Sequence, residues 1–153
     1  MMKKKIVCTF IALCALLSFA VPNGQAQENT RASLVKISQD YLKTPYKYGG
    51  TTSAGFDCSG FVLFIFKKFD ISLPRRSADQ ATAGKAVKKE DLQPGDIVYF
   101  KNTPKSNVSH SGIYIGSNKF ISSTTSHGIR IDSLNDPYYW GKRYAGARRV
   151  LSE

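Results

Sequence analysis

The second half of the chain is a succession of short apolar segments separated by turn residues. The apolar segments cover 97–100, 111–115, 119–123, 128–131 and 147–151. Segments of this length, joined by short turns such as Gly116-Ser117-Asn118, predict antiparallel strands. The rest of the chain must therefore pack against an antiparallel sheet.

Helices are predicted in the first half of the chain. Residues 31–42 carry apolar side chains at roughly helical spacing, and residues 59–69 are apolar nearly all round, which is typical of a buried helix. A shorter helix is predicted near 77–83, whereas residues 46–55, rich in Gly, Ser and Thr, read as a loop. Because the helices come first and the strands later, we expect a single α+β domain rather than an alternating α/β fold.

The N-terminus has the pattern of a secretory signal peptide. Three lysines at 3–5 precede an apolar run over 6–21, and small residues at 24–26 follow it. We therefore predict a signal peptide at 1–26, an exported domain at 27–153, and a location in the periplasm or cell envelope. The apolar run is shorter than the ~20 residues that a spanning helix needs, so no transmembrane span is expected in the mature chain.

The cysteines divide between these two regions. Cys8 and Cys14 leave with the signal peptide, so Cys58 is the sole cysteine of residues 27–153. A lipid anchor at Cys14 is an alternative, but the bulky Leu13 before it fits that pattern poorly. In an oxidising compartment, a lone cysteine is either buried and inert or a working thiol.

The charge of the chain narrows the class of partner. The sequence has 22 basic and 11 acidic residues, and three of the basic ones lie in the signal peptide, which leaves 19 − 11 = +8 for the mature chain. Such a surface attracts polyanions, and an anionic wall or envelope polymer suits an exported protein. No Lys/Arg block is interleaved with aromatics, so a nucleic-acid partner is not expected.

Cys58 lies where a nucleophile would be activated. It stands between the glycine-rich loop and the start of the buried helix, where unpaired N–H groups favour a thiolate and can stabilise an oxyanion. Gly60, without a side chain, is expected to let a substrate backbone approach. The polar neighbours Asp57 and Ser59 argue against the simpler interpretation of a packed, inert cysteine.

A cysteine nucleophile needs a base, and residues 27–153 offer two histidines, His110 and His127. His110 follows a polar loop and opens a predicted strand, so it is placed at a sheet edge where it could face Cys58. A structural or exposed histidine remains the alternative at this point.

Several motifs together resemble the NlpC/P60 family of cysteine peptidases. They are Pro45-Tyr46-Lys47-Tyr48-Gly49-Gly50, Phe56-Asp57-Cys58-Ser59-Gly60-Phe61, Leu73-Pro74-Arg75 with Ser77 and Gln80, Leu92-Gln93-Pro94-Gly95-Asp96, and His110-Ser111-Gly112-Ile113-Tyr114-Ile115-Gly116. The segments 135–140 and 147–150 are similar to the branch that contains the enterobacterial outer-membrane murein endopeptidase.

The resemblance implies a papain-like α+β fold, with N-terminal helices packed on an antiparallel sheet. It also implies hydrolysis of peptidoglycan stem peptides by Cys58 as nucleophile and His110 as base, at either the D-glutamyl–diamino acid bond or the cross-link. Further positions match the family's oxyanion and substrate-binding residues, namely Tyr46, Asp57, Ser59 and Arg75. We expect the domain to need no cofactor and to be a monomer. No residue cluster has metal-ligand spacing, so no metal is expected either.

One position departs from the family pattern. The family usually places a second histidine twelve residues after the base, where it orients the imidazole; here that position is Ser122. Three outcomes stay open: Ser122 serves directly or through a water, His127 reaches in, or the enzyme is attenuated. A non-catalytic wall-binding module is therefore the alternative function, and an amidase or secreted toxin on the same scaffold is a further one.

Overall fold

The structure is a computed structural model, and it describes residues 23–152. The signal-peptide core and the alternative lipid anchor at Cys14 lie outside the described residues. The helices are α1 Asn23–Gln39, α2 Cys58–Lys67, α3 Ser77–Gln80 and α4 Trp140–Arg143, with a 3₁₀ turn at Lys89–Asp91. The strands are β1 Thr51–Thr52, β2 Gly55–Phe56, β3 Lys85–Val87, β4 Ile97–Lys101, β5 Val108–Gly116, β6 Lys119–Thr124, β7 Gly128–Ser133 and β8 Tyr144–Arg149.

Six strands form one antiparallel sheet in the order β3-β8-β4-β5-β6-β7. The β5–β6 connection is the tight turn that the sequence predicts, with Ser117 and Asn118 both at positive φ (52° and 56°). The separate strands β1 and β2 pair as a small hairpin just before α2. Helices that precede an antiparallel sheet confirm the predicted α+β class.

The buried helix α2 packs on one face of the sheet. Its fully buried side chains Phe61, Val62, Ile65 and Phe66 belong to the same cluster as Ile97, Ile113 and Ile121 of the sheet. Each such side chain contributes about 1.5–3 kcal/mol by leaving water. The all-round apolar character of the segment therefore reflects real burial, and it anchors the helix whose first residue is Cys58.

The other face of the sheet carries a second, smaller cluster. Val98 and Phe100 of β4 join Phe120 of β6 there, and Trp140 at the start of α4 packs against them. The sheet thus lies between α2 and the segment that leads into β8. Within residues 23–152, no helix is both long enough and apolar enough to span a bilayer.

Several boundaries differ from the prediction. Helix α1 begins at Asn23, so the predicted cleavage after Ala26 would fall within it, and it ends at Gln39 rather than 42. The large apolar side chains of the helix, Leu34, Val35 and Ile37, all lie in its second half, which is why apolar spacing signalled only that part. Strand β3 and helix α4 were missed because both are short and largely exposed, so neither has a clear apolar period.

Candidate active site

Cys58 is the first residue of α2, and Asp57 caps that helix. Asp57 has an extended backbone, and its Oδ1 accepts the Gly60 N–H at 2.7 Å. Cys58 is partly exposed and, as a free thiol, has no disulfide partner. The cap fixes the start of the helix, so Cys58 lies at the positive end of the helix dipole.

Gly60 has a different role from the one expected of it. It is buried, and a Cβ at this position would fall onto the Gly50 carbonyl oxygen and come within 2.8 Å of Asp57 Oδ1. The expectation that Gly60 opens a path for substrate is therefore wrong. Its missing side chain instead lets α2 pack against the loop, because the Gly50 carbonyl also accepts the Asp57 N–H at 3.1 Å.

His110 lies within β5, opposite Phe100 of β4. Its Nε2 is 3.0 Å from Ser122 Oγ on β6, so Nε2 rather than Nδ1 is the ring nitrogen that contacts the serine. The centre of the imidazole ring is 4.8 Å from the centre of the Trp140 ring, with 32° between the ring planes, and 5.8 Å from the centre of the Phe100 ring. Burial lowers the pKa of His110 from 6.5 to about 4, so the imidazole is neutral at pH 7.

Cys58 and His110, the predicted nucleophile and base, line the same open groove, whose volume is about 690 Å³. Its walls include Tyr46, Cys58, Ser109, His110, Arg130 and Trp140. His127 lies at the same groove but is exposed, and its Nδ1 is 2.8 Å from Ser126 Oγ. The side chain that contacts His110 Nε2 is thus Ser122, not His127.

Tyr46 borders the nucleophile. Burial raises the pKa of the Tyr46 phenol, and negative charge on Cys58 and Asp57 raises it further. The phenol therefore stays protonated and can donate a hydrogen bond into the groove.

Asp57, Ser59 and Arg75 form one cluster. Arg75 donates to both oxygens of Asp57 (3.0 and 2.6 Å) and to Ser59 Oγ (2.9 Å). The hydrogen bond to Asp57 is also the main reason that the pKa of Arg75 is raised. Because Asp57 also accepts from the N–H groups of Gly49 and Gly60, its carboxylate already has four donors.

Comparison with known proteins identifies the family of the chain. The sequence profile of the NlpC/P60 family matches residues 43–149, which contain both Cys58 and His110. This chain belongs to the NlpC/P60 family.

Other members of the NlpC/P60 family match over most of the chain. It is 39% identical to the probable endopeptidase NlpC of Escherichia coli K12, over 95% of this chain and 96% of that protein. It is 46% identical to the murein DD-endopeptidase MepS/murein LD-carboxypeptidase of the same strain, over 74% of this chain and 59% of that protein. It is 38% identical to the gamma-D-glutamyl-L-lysine dipeptidyl-peptidase of Bacillus subtilis 168, over 89% of this chain but only 46% of that protein.

Solved structures agree with the NlpC/P60 fold. A crystal structure of a family protein from Bacillus cereus matches with a TM-score of 0.75 at 40% identity, over 80% of this chain and 40% of that one. The NlpC/p60 domain of the peptidoglycan hydrolase SagA matches with a TM-score of 0.69 at 22% identity, which supports the fold alone. The papain-like α+β prediction is therefore confirmed.

Sequence reasoning missed how Trp140 contributes to this NlpC/P60 site. Trp140 belongs to the segment 135–140, to which the resemblance assigned no site role, but its ring lies against the imidazole of His110. Its position comes from Asp136, whose carboxylate accepts the N–H groups of Tyr138, Tyr139 and Trp140 at 3.2, 2.9 and 3.0 Å. The pair Asp136-Pro137 favours the start of a turn and could have located this one.

Metal-assisted chemistry has no obvious ligands in the described part of the chain. Among residues 23–152, no group of His, Cys, Asp and Glu side chains is arranged to hold a metal ion.

Proposed function

We propose that the chain is an exported cysteine endopeptidase that hydrolyses peptidoglycan stem peptides. The bond would be the D-glutamyl–diamino acid bond or the cross-link. The observation that carries this proposal is the shared groove, which Cys58 lines from a capped helix start and His110 lines as a neutral imidazole. Family membership and relatives named as endopeptidases support the reaction class.

The reaction would begin with proton transfer from the Cys58 thiol to His110 Nδ1. The sulfur attacks the scissile carbonyl carbon, and the carbonyl oxygen becomes an oxyanion. The Cys58 N–H at the helix start and the Tyr46 hydroxyl are the donors proposed for that oxyanion. His110 then returns its proton to the leaving amine, which leaves an acyl-enzyme thioester that water hydrolyses with His110 again as base.

Ser122 would orient the base. With Nδ1 free to accept the thiol proton, the neutral ring carries its hydrogen on Nε2 and donates it to Ser122 Oγ, 3.0 Å away. A hydroxyl fixes the tautomer and the ring plane. It stabilises the imidazolium less than a more basic partner would, so this site would work with a weaker third member than is usual in the family.

The cluster of Asp57, Ser59 and Arg75 is proposed to hold the stem peptide, as the family resemblance implies. Arg75 is partly exposed (40% of its side chain), so a substrate carboxylate can reach it. Since Asp57 already has four donors, a substrate amine would have to join or displace these bonds.

The export proposal rests on residues 1–26 as a signal peptide. Removal of that segment would leave a domain with a charge of +8, which favours an anionic wall polymer. We propose that this domain acts as a monomer in the periplasm or cell envelope.

The decisive experiment is digestion of purified peptidoglycan by the wild type and by Cys58→Ala, with mass analysis of the released fragments. We expect new stem-peptide fragments from the wild type and none from Cys58→Ala, and the fragment masses identify the bond. Ser122→His restores the usual family residue and should raise the rate. If Cys58→Ala still binds wall and complements the gene's deletion, the non-catalytic wall-binding module is the correct function.

A further inference from the structure

A chain of buried polar groups leads away from the sulfur of Cys58, on the opposite side of β5 from His110. Cys58 Sγ is 3.4 Å from Ser77 Oγ, and Ser77 Oγ is 3.3 Å from Ser111 Oγ. Ser111 in turn donates to Gln80 Oε1 at 2.9 Å. Ser111 and Gln80 are fully buried and Ser77 is 9% exposed, so this chain of groups lies largely away from solvent.

The amide of Gln80 sets the direction of every hydrogen bond in this chain. Its Nε2 donates to the Ser59 and Pro74 carbonyls, both at 3.0 Å, so its Oε1 must be the acceptor for Ser111. A serine hydroxyl has one hydrogen, and that of Ser111 is used on Gln80. The hydrogen between Ser77 and Ser111 therefore belongs to Ser77.

The same count of hydrogens fixes which atom donates between Ser77 and the sulfur of Cys58. With its hydrogen directed at Ser111, Ser77 can only accept from Cys58, so the contact at 3.4 Å is a hydrogen bond only when the thiol is protonated. The Ser109 carbonyl oxygen, 3.9 Å from the sulfur, is the more distant acceptor for the same hydrogen. In the thiolate form, lone pairs of sulfur and oxygen would face each other unless the Ser77 hydroxyl turned round. The neutral imidazole of His110 agrees with a neutral thiol in the resting site.

We propose that Ser77 is a further catalytic residue, whose hydroxyl accepts from the resting Cys58 thiol and rotates to donate to the thiolate. The thiol proton passes to His110 Nδ1 and the electron pair stays on sulfur, while Ser77 keeps its own proton and only changes acceptor from Ser111 Oγ to Cys58 Sγ. The inference rests on the proposed function in one respect, that Cys58 is the nucleophile.

The test is the pH dependence of Cys58 alkylation by iodoacetamide in the full chain, read on the Cys58 peptide by mass spectrometry. Ser77→Ala removes the donor to the thiolate. We therefore expect the pH at which the alkylation rate is half-maximal, the midpoint, to rise by about one pH unit. Ser111→Ala frees the Ser77 hydrogen for the sulfur, although Gln80 Oε1 loses its donor. We expect the midpoint of the alkylation rate in this variant to fall by about half a pH unit. Opposite shifts from neighbouring serines are not what general loosening of the site would produce.

Two further variants serve as controls. Ser77→Thr keeps the hydroxyl and should keep the wild-type midpoint. Ser38→Ala removes another fully buried hydroxyl, which donates to Val35 O in α1, and should leave the midpoint unchanged. If Ser111→Ala does not fold, because Gln80 Oε1 loses its donor, the comparison of Ser77→Ala with Ser77→Thr decides alone.

Two outcomes would overturn the inference. One is a midpoint in Ser77→Ala that is unchanged or lower, since a hydroxyl that only ever accepts from the thiol would stabilise the protonated form. The other is a shift of the same sign in Ser77→Ala and Ser111→Ala. Alkylation does not depend on wall hydrolysis, so the expected shifts in a protein that digests no peptidoglycan would reject the proposed function and leave the hydrogen-bond switch standing.

Discussion

His110 Nε2 lies 3.0 Å from the hydroxyl oxygen of Ser122, and the two residues stand on neighbouring strands β5 and β6. Ser122 is fully buried, so this hydroxyl is held in place by the sheet and is shielded from water. A short side chain thus reaches the imidazole directly, without a bridging water.

Removal of this hydroxyl should lower turnover more than binding. In Ser122→Ala we expect kcat on a stem-peptide substrate to fall by about tenfold or more with little change in KM, because the partner orients a base that acts in the transition state. Steady-state kinetics over a range of substrate concentrations separate the two constants. Ser122→Thr keeps the hydroxyl and should retain most of the rate; equal losses in both variants would show that Ser122 matters for packing alone.

Burial of His110 should make stability depend on pH. The unfolded chain takes up a proton near the ordinary pKa of 6.5, whereas the folded site does so only near 4. Stability from this residue is therefore fully present above pH 6.5 and is lost as the pH falls towards 4, by about 3 kcal/mol at most. Urea unfolding at a series of pH values measures this loss.

The two histidines provide a matched control for that measurement. His110→Gln should flatten the fall in stability between pH 6.5 and pH 4. His127→Gln, at an exposed position, should leave it as in the wild type. A steep acid loss that persists in His110→Gln would assign it to other groups.

Trp140 should control the hydration of the base. Its ring lies 4.8 Å from the imidazole, so in Trp140→Ala water reaches the ring and we expect the pKa of His110 to rise from about 4 towards 6.5. An NMR titration of the imidazole C–H resonances follows this change. Tyr138→Ala removes an aromatic side chain that is 86% exposed and should leave the titration unchanged. A His110 that still titrates near 4 in Trp140→Ala would mean that other groups exclude water.

Mutants of Asp57 should separate two contributions to stability: the cap on α2 and the ion pair with Arg75. Asp57→Asn keeps an acceptor for the Gly60 N–H but loses the charge that Arg75 contacts, and we expect a loss of stability below about 1 kcal/mol because Arg75 is partly exposed. Asp57→Ala also loses the cap, at an additional cost of about 1 kcal/mol. Urea unfolding measures both values, and Arg76→Ala, next to Arg75 and exposed, serves as the control. An equal loss of stability in Asp57→Asn and Asp57→Ala would show that the cap does not contribute.

Local patterns were enough to predict the framework of the site. The all-round apolar run after Cys58 is a buried helix, and the turn residues at 116–118 do separate two strands. These predictions succeeded because helix burial and strand alternation are set within a few residues of each other along the chain.

The contacts that tune the chemistry arise between residues far apart in the chain. Trp140 reaches His110 because the Asp136 turn folds back over the sheet, and Ser111 meets Ser77 because adjacent residues of β5 point to opposite faces. The order of helices and strands, and the residue types at the site, follow from the sequence. The hydrogen-bond partners, the burial of the His110 ring and the packing role of Gly60 depend on tertiary folding, because burial and pairing are properties of groups that only the folded chain brings together.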